Sequence, residues 1–424
     1  MTEPNPSQPS QRERLREFVR KSRAVQIIIA GYLVSSVGFG LYMSGSALYF
    51  VQSVGLSARQ VGIGLAVAGG AGILLAVPIG QLSDRFGARN ITLWLTGAQV
   101  ALLIGATQVR AFGGFLIVIV LLGIAESGAN VSRGALVASV VDRGDRVRLN
   151  AITRSLFNIG FMTGVALAGI AIGVGTRSAY LWVIVGNALT TTFGLVLYLF
   201  FPKGTVRPRR RRRWGLPQGL RDLPFLAVAQ VSKLTSISDS LITVGIPLWI
   251  VAHTQAPPAL AAWLIIINTA IVAVLQTTAA RPSETLRGAS RSLVASFALL
   301  VVACIVLSTT SALGPVWVIA GLVVVFLLLT GGEMLGSAAS WAMRYELAPA
   351  DAQGEYGGVS ALGAIVPTAL GPLLVTQLPD RAGGPGWLVL AAVFVVGLVL
   401  AVPVVRWAEK SRPWLQPPTT GSGG

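Results

Sequence analysis

Apolar runs of membrane-spanning length alternate with short polar breaks through almost the whole chain. A bilayer crossing needs about 20 mostly apolar residues, so each run predicts a transmembrane helix. In the first half the runs fall at about 24–51, 58–80, 91–109, 113–140, 149–172 and 179–201. In the second half they fall at about 225–252, 260–280, 293–310, 316–347, 357–378 and 386–405. The only sizeable hydrophilic insert, 203–221, carries Arg207 and the run Arg209 to Arg213, and it bisects the chain. The expected domains are a basic tail at 1–23, a six-helix bundle at 24–202, an Arg-rich linker at 203–223, a second bundle at 224–407 and a tail at 408–424.

The cations orient this array. With the N-terminus inside, one side collects the tail, the turn at 80–90, the loop at 142–148, the linker, the loop at 281–291 and the C-terminus. The opposite loops keep only Arg59, Arg110, Arg177 and Arg381. Cytoplasmic loops are the ones enriched in Lys and Arg, so both termini are expected in the cytoplasm of a cell inner (plasma) membrane. The formal net charge of +17 therefore reads as a topology signal rather than a nucleic-acid footprint. The Arg209–Arg213 run reads as an anchor on anionic lipid. Only 12% of residues are charged, against about 25% in soluble domains.

Other chemistry is sparse. Cys304 is the single cysteine, so no disulfide forms within the chain. The polar first 23 residues lead straight into a full-length span, as in a signal anchor rather than a cleaved signal. Gly421-Ser422-Gly423-Gly424 reads as an appended linker. His253 stands alone, which leaves no basis for a catalytic dyad or a histidine metal site. Gly69-Gly70 lies in an apolar run without a phosphate-loop lysine. The expectation is no enzyme, no cofactor, a monomer in the lipid bilayer, and an ion gradient rather than ATP as the energy source.

The turn after the second run has its own pattern: Gly80-Gln81-Leu82-Ser83-Asp84-Arg85-Phe86-Gly87-Ala88-Arg89-Asn90. Its glycines permit a sharp bend and close helix approach, and Asp84, Arg85 and Arg89 can pair with one another or with helix ends. The stretch resembles the loop between the second and third helices of the major facilitator superfamily, G-x-L-x-D-R-x-G-x-R. Gly80, Leu82, Asp84, Arg85, Gly87 and Arg89 match in order. Internal repetition extends the resemblance over nearly the whole chain. Glu126 and Glu333 lie 207 residues apart, as do Gly164 and Gly371, and the same offset carries Gly160 onto Pro367. Parallel six-span repeats characterise that architecture. The resemblance implies an all-α membrane protein of major facilitator fold, with two pseudo-symmetric six-helix bundles around a central cavity lined by helices one, four, seven and ten. It also implies that Asp84 caps the eleventh helix, near Gly354-Glu355-Tyr356-Gly357, when the cytoplasmic side is shut.

Ionisable side chains within spans are costly and mark function by default. The deepest are Glu126 and Arg133 in the fourth run, Lys233 and Asp239 in the seventh, and Glu333 in the tenth. Glu126 and Arg133 are two turns apart on one face, roughly 10 Å along the axis. Burial favours a neutral carboxyl group and a nearby base favours the charged one, so acids in this setting can exchange protons. Asp239 and Glu333 resemble the acidic pair of some bacterial drug/proton antiporters. Glu126, Asp239 and Glu333 are therefore the candidate proton-coupling residues; static salt bridges to Arg133, Lys233 or Arg154 are the alternative.

In the first run Tyr32, Phe39, Tyr42 and Met43 fall on one helical stripe. It reads either as packing or as an adaptable wall for an apolar substrate. Asn130, Trp341, Arg133 and Lys233 complete the candidate cavity residues. Gly160 and Gly164 recur at the small-residue spacing of close helix packing, and with Pro367 and Gly371 they are gating candidates beside Gly80, Asp84, Arg85, Gly87 and Arg89. The antiporter pattern has a proline where this chain has Val165, and an intramembrane arginine where it has Ile124. The leading function is proton-coupled export of amphipathic, drug-like or natural-product-like molecules. An uptake symporter or facilitator for a small solute, and a lipid or lysolipid translocator, remain alternatives.

Overall fold

In the computed structural model, residues 22–141, 143–174, 176–202, 217–257 and 259–412 are described. The basic tail at 1–21, the Arg209–Arg213 run and the segment Gly421 to Gly424 lie outside the described residues. The first half is α1 (Arg23–Leu48, continued by a π turn, Tyr49–Ser53), α2 (Ala58–Phe86), α3 (Ala88–Ala106), α4 (Phe112–Val140), α5 (Arg143–Val174) and α6 (Arg177–Leu199). A single turn, Gln218–Arg221, precedes α7 (Leu223–His253), α8 (Ala259–Ala279), α9 (Leu286–Thr309) and α10 (Pro315–Leu347). The chain ends in α11, which has two pieces (Gln353–Leu362 and Ile365–Ala382), and α12 (Gly384–Lys410). Ten of the described helices are long and apolar enough to cross a membrane; α3 and α8 are shorter and pack among them. No strand occurs among the described residues.

Each half is a bundle with its own apolar core. In the first, α1 packs on α5 and α6, and α2 on α4. In the second, α9 packs on α10 and α12 around Trp249, Phe297, Trp387 and Phe394. Trp249 donates its indole N–H to Thr310 Oγ1 at 2.8 Å, so this deeply buried ring leaves no orphan donor. The bundles touch along α2–α11, α4–α11, α5–α8 and α5–α10.

That seam is tight at one end only. On α2, Gly80 meets the backbone of Gly354, and Gly358 meets the backbone of Ala76 and Val77, so closely that a β carbon on either glycine would collide with main chain. Gly69, further along α2, has nothing within 4 Å of an added β carbon. The two halves therefore close at the end where α1 begins and α12 ends, and part at the other. Overpacking costs about 1–3 kcal/mol, so Gly358→Val is expected to hold the closed end apart. Ser83 is 1% exposed; a Ser83→Cys reporter should then react faster with an impermeant maleimide.

Four sequence expectations need correction. The 80–90 stretch is not a loop: α2 runs through Phe86, and Gly87 alone, at φ 90°, separates it from α3. Gly80 thus serves close packing rather than a bend. The expected basic loop at 142–148 is helical from Arg143 onward. There Arg146 donates to the carbonyls of Ala138 (2.6 Å) and Val141 (2.9 Å), satisfying the end of α4. α7 is irregular, with a 3-10 turn at Leu234–Ser236 and a π turn at Leu241–Gly245 on either side of Asp239. Ser232, Thr235 and Ser238 each hydrogen-bond the carbonyl three residues back, a local competition that loosens a regular helix. Finally, α11 breaks at Gly363 and Ala364. Pro367 has no N–H and its ring crowds the carbonyl four residues earlier, that of Gly363.

Candidate functional site

A central cavity of about 650 Å³ opens between the halves, lined by Phe39, Tyr42 and Met43 of α1 and by Glu126 and Asn130 of α4, among others. Lys233, Trp341, Arg344 and Gly357 line its closed end. Its size suits a drug-sized ligand. A second pocket, about 210 Å³, lies inside the first bundle and is lined by Tyr32, Phe39, Tyr42, Glu126, Asn130 and Arg133, with Gln99 and Asn187. Glu126 thus borders both spaces. Tyr32 lines only the smaller one, with the Arg133 guanidinium 5.6 Å from its ring centroid. Arg133 donates to Asn130 Oδ1, and among the described residues Glu126 forms no ion pair. The shared face did not bring Glu126 and Arg133 into contact, because Asn130, one turn nearer, takes the guanidinium. Phe39 packs against Phe157 and Phe161 of α5, with centroids 5.8 and 6.0 Å away.

The second cluster straddles the seam. Arg154 of α5 donates to Glu333 of α10, joining the two bundles through an ion pair. The other Glu333 oxygen receives Asn268 Nδ2 at 3.4 Å, and the same amide reaches Thr330 Oγ1 at 2.8 Å. Asp239 is exposed on the short helical segment between the two irregular turns of α7. Arg154, Glu333 and Lys233 are its charged neighbours, yet among the described residues its carboxylate has no ion-pair partner. Of the three candidate acids, then, Glu333 is held by a base from the opposite half, and Glu126 and Asp239 are not held.

The sequence offers Arg154 only as one of three possible salt-bridge partners and does not single out Arg344. An apolar run starting at 149 puts Arg154 near a helix end, whereas a start at Arg143 puts it well inside. Arg344 reads as an ordinary cation in the last turn of α10, but only 7% of it is exposed.

At the closed end Asp84 caps α11. Its Oδ1 accepts from the Gly354 N–H and its Oδ2 from the Glu355 N–H, both at 2.8 Å. Free amides and the positive dipole end make a helix N-terminus a carboxylate receptor. Glu355 in turn accepts from Gln81 Nε2 (3.1 Å) and from the Gly219 N–H (2.7 Å). Tyr356 donates to Asp222, which also pairs with Arg412 at 2.6 Å. Arg89 caps the end of α6 through the carbonyls of Leu199 (2.8 Å) and Phe201 (3.0 Å). The Arg85 guanidinium lies 5.4 Å from the ring centroid of Phe86.

The other gating candidates sit elsewhere. Gly160 and Gly164 press α5 against Leu33, Ser36, Val37 and Gly40 of α1, so they pack the first bundle internally. Gly371 faces Ser240 within the second bundle. Charged hydrogen bonds contribute about 1.5–3 kcal/mol each. Asp84→Asn, which keeps one acceptor oxygen, is therefore expected to weaken the closed end and raise the labelling rate of a Ser83→Cys reporter about tenfold. An unchanged rate would mean that Asp84 is no latch.

The model of the Major Facilitator Superfamily matches residues 28–234. Over 410 residues the chain is 25% identical to the class C tetracycline resistance protein of Escherichia coli, covering 93% of this chain and 99% of that one. A bacterial homologue of the iron transporter ferroportin, solved in an outward-facing state, superposes with a TM-score of 0.75 at 15% identity, covering 92% of this chain and all of that one. The fucose:proton symporter of E. coli superposes at 0.65 with 12% identity, covering 90% and 98%. These structural likenesses establish the fold.

Proposed function

We propose that this transporter of the major facilitator superfamily exports amphipathic, drug-like or natural-product molecules from the cytoplasm in exchange for protons. It would work as a monomer, with both termini cytoplasmic, in a cell inner (plasma) membrane. The observation that carries this reading is the Arg154–Glu333 pair across the seam with unpaired Asp239 beside it. The two acids face two bases, so one added proton changes the charge balance of the whole group. A proton on Glu333 removes the charge that holds Arg154. The halves can then part at the cytoplasmic end, where the proton leaves and a substrate enters. Re-forming the pair closes that end and presents the cavity to the outside. The similarity to a tetracycline resistance protein over most of the chain supports a drug-like cargo.

The polar pocket around Gln99, Asn130 and Asn187 favours a second reading, an uptake symporter for a small solute. Proteoliposomes with an imposed pH gradient and a panel of lipophilic compounds separate the two. For one-to-one exchange, a gradient of one pH unit sustains about tenfold accumulation of the compound on the acidic side. Accumulation on the alkaline side would indicate symport, and equal distribution would mean no coupling.

A further inference from the structure

Arg344 is a buried cation without a counter-ion. It lies in the last turn of α10, where a cation would normally be solvated and complement the helix end. Here it is 7% exposed, and among the described residues neither its Nε nor its Nη2 has a hydrogen-bond partner. Aromatic faces fix the plane of the guanidinium instead, with the Trp341 centroid at 4.8 Å and the Tyr345 centroid at 5.4 Å. Gly134 of α4 and Gly357 of α11 flank it so closely that a β carbon on either would strike the guanidinium. These glycines belong to opposite bundles, so the slot exists only where the halves meet.

Lys233 and Arg344 both line the closed end of the central cavity, and no carboxylate pairs with either among the described residues. Much of the remaining wall is apolar, with Phe39, Met43, Ile73 and Leu122 in it. Burying a charge without a partner is costly, and a planar guanidinium fork matches an oxyanion. We infer that this end of the cavity is an oxyanion subsite. Arg344, with Lys233 nearby, receives the carboxylate, sulfate or phosphate of an amphipathic substrate, and the substrate's apolar body lies along Phe39, Met43 and Ile73. When α4 and α11 part, Arg344 faces the side from which an exporter loads. The inference rests on the export reading and narrows its substrate class to organic anions.

The test uses the full chain in phosphatidylcholine nanodiscs, which supply no net-anionic lipid. The probes are 1-pyrenebutyrate and its neutral amide, read by energy transfer from tryptophan. The wild type is expected to bind the acid about tenfold more tightly than the amide. Arg344→Gln should erase that preference by weakening the acid far more than the amide; Arg344→Lys should keep part of the preference. The assignment is overturned by equal wild-type affinities, by no binding of the acid, by a preference that survives Arg344→Gln, or by loss of both ligands together in both variants. The pH-driven transport of the amide tests the export reading separately. If Arg344→Gln still moves the amide against a gradient, that reading stands whatever the fate of the subsite. If wild type moves neither compound, the export reading falls and the binding preference still decides the subsite.

Discussion

Replacing Glu333 with Gln is expected to abolish proton-driven transport and to loosen the closed end of the molecule. The substitution removes the carboxylate that holds Arg154 across the seam. Breaking a fully buried pair costs about 3–5 kcal/mol, because the remaining charge is left uncompensated. Here 35% of the Arg154 side chain and 13% of the Glu333 side chain are exposed, so solvent screening lowers the expected cost to about 1–3 kcal/mol. That corresponds to a shift of about 5- to 150-fold in the balance between closed and open arrangements. Labelling of a Ser83→Cys reporter should rise accordingly, and the melting temperature should fall. The double change Arg154→Gln with Glu333→Gln removes both charges. It should recover most of the stability and none of the coupling, since residues in one ion pair are not additive.

Asp239→Asn should separate coupling from stability in the opposite way. Asp239 has no ion-pair partner among the described residues, so nothing is orphaned by the change. Stability is expected to move by no more than about 0.5 kcal/mol. An amide at this position imitates the protonated acid permanently. Exchange of labelled substrate across the membrane at equal pH should continue, while accumulation driven by a pH gradient should fall to the level of empty vesicles. A variant that still concentrates its cargo would assign the proton to Glu333 or Glu126. The 3-10 and π turns on either side of Asp239 would, under the proposed exchange, give α7 a place to change shape.

The sequence carried the helices and the two-bundle plan, because a span is a local property of about twenty residues and a repeat is a property of order. It also pointed to Gly354 and Glu355 as the partner of Asp84, through the family pattern rather than through any physical signal in the segment itself. Cross-bundle contacts were less legible. Glu333 could have been paired with any of several bases, and only the packing of α5 on α10 selects Arg154. Arg344 was hidden by its position: a cation in a final helical turn looks solvated until Gly134 and Gly357 close over it. Gly160 and Gly164 show the reverse problem. Their spacing correctly signals close packing, but spacing does not say which neighbour is approached, and the neighbour is α1 of the same bundle.

Counting protons against cargo addresses what the whole mechanism depends on, that the mid-membrane acids change protonation during each cycle. Proteoliposomes holding a pH-sensitive dye would be given a transported compound on one side only, with no initial pH difference. Wild type should move protons opposite to the compound, and the Asp239→Asn, Glu333→Gln double variant should move the compound downhill with no proton counterflow. Equal counterflow in both proteins would contradict the mechanism.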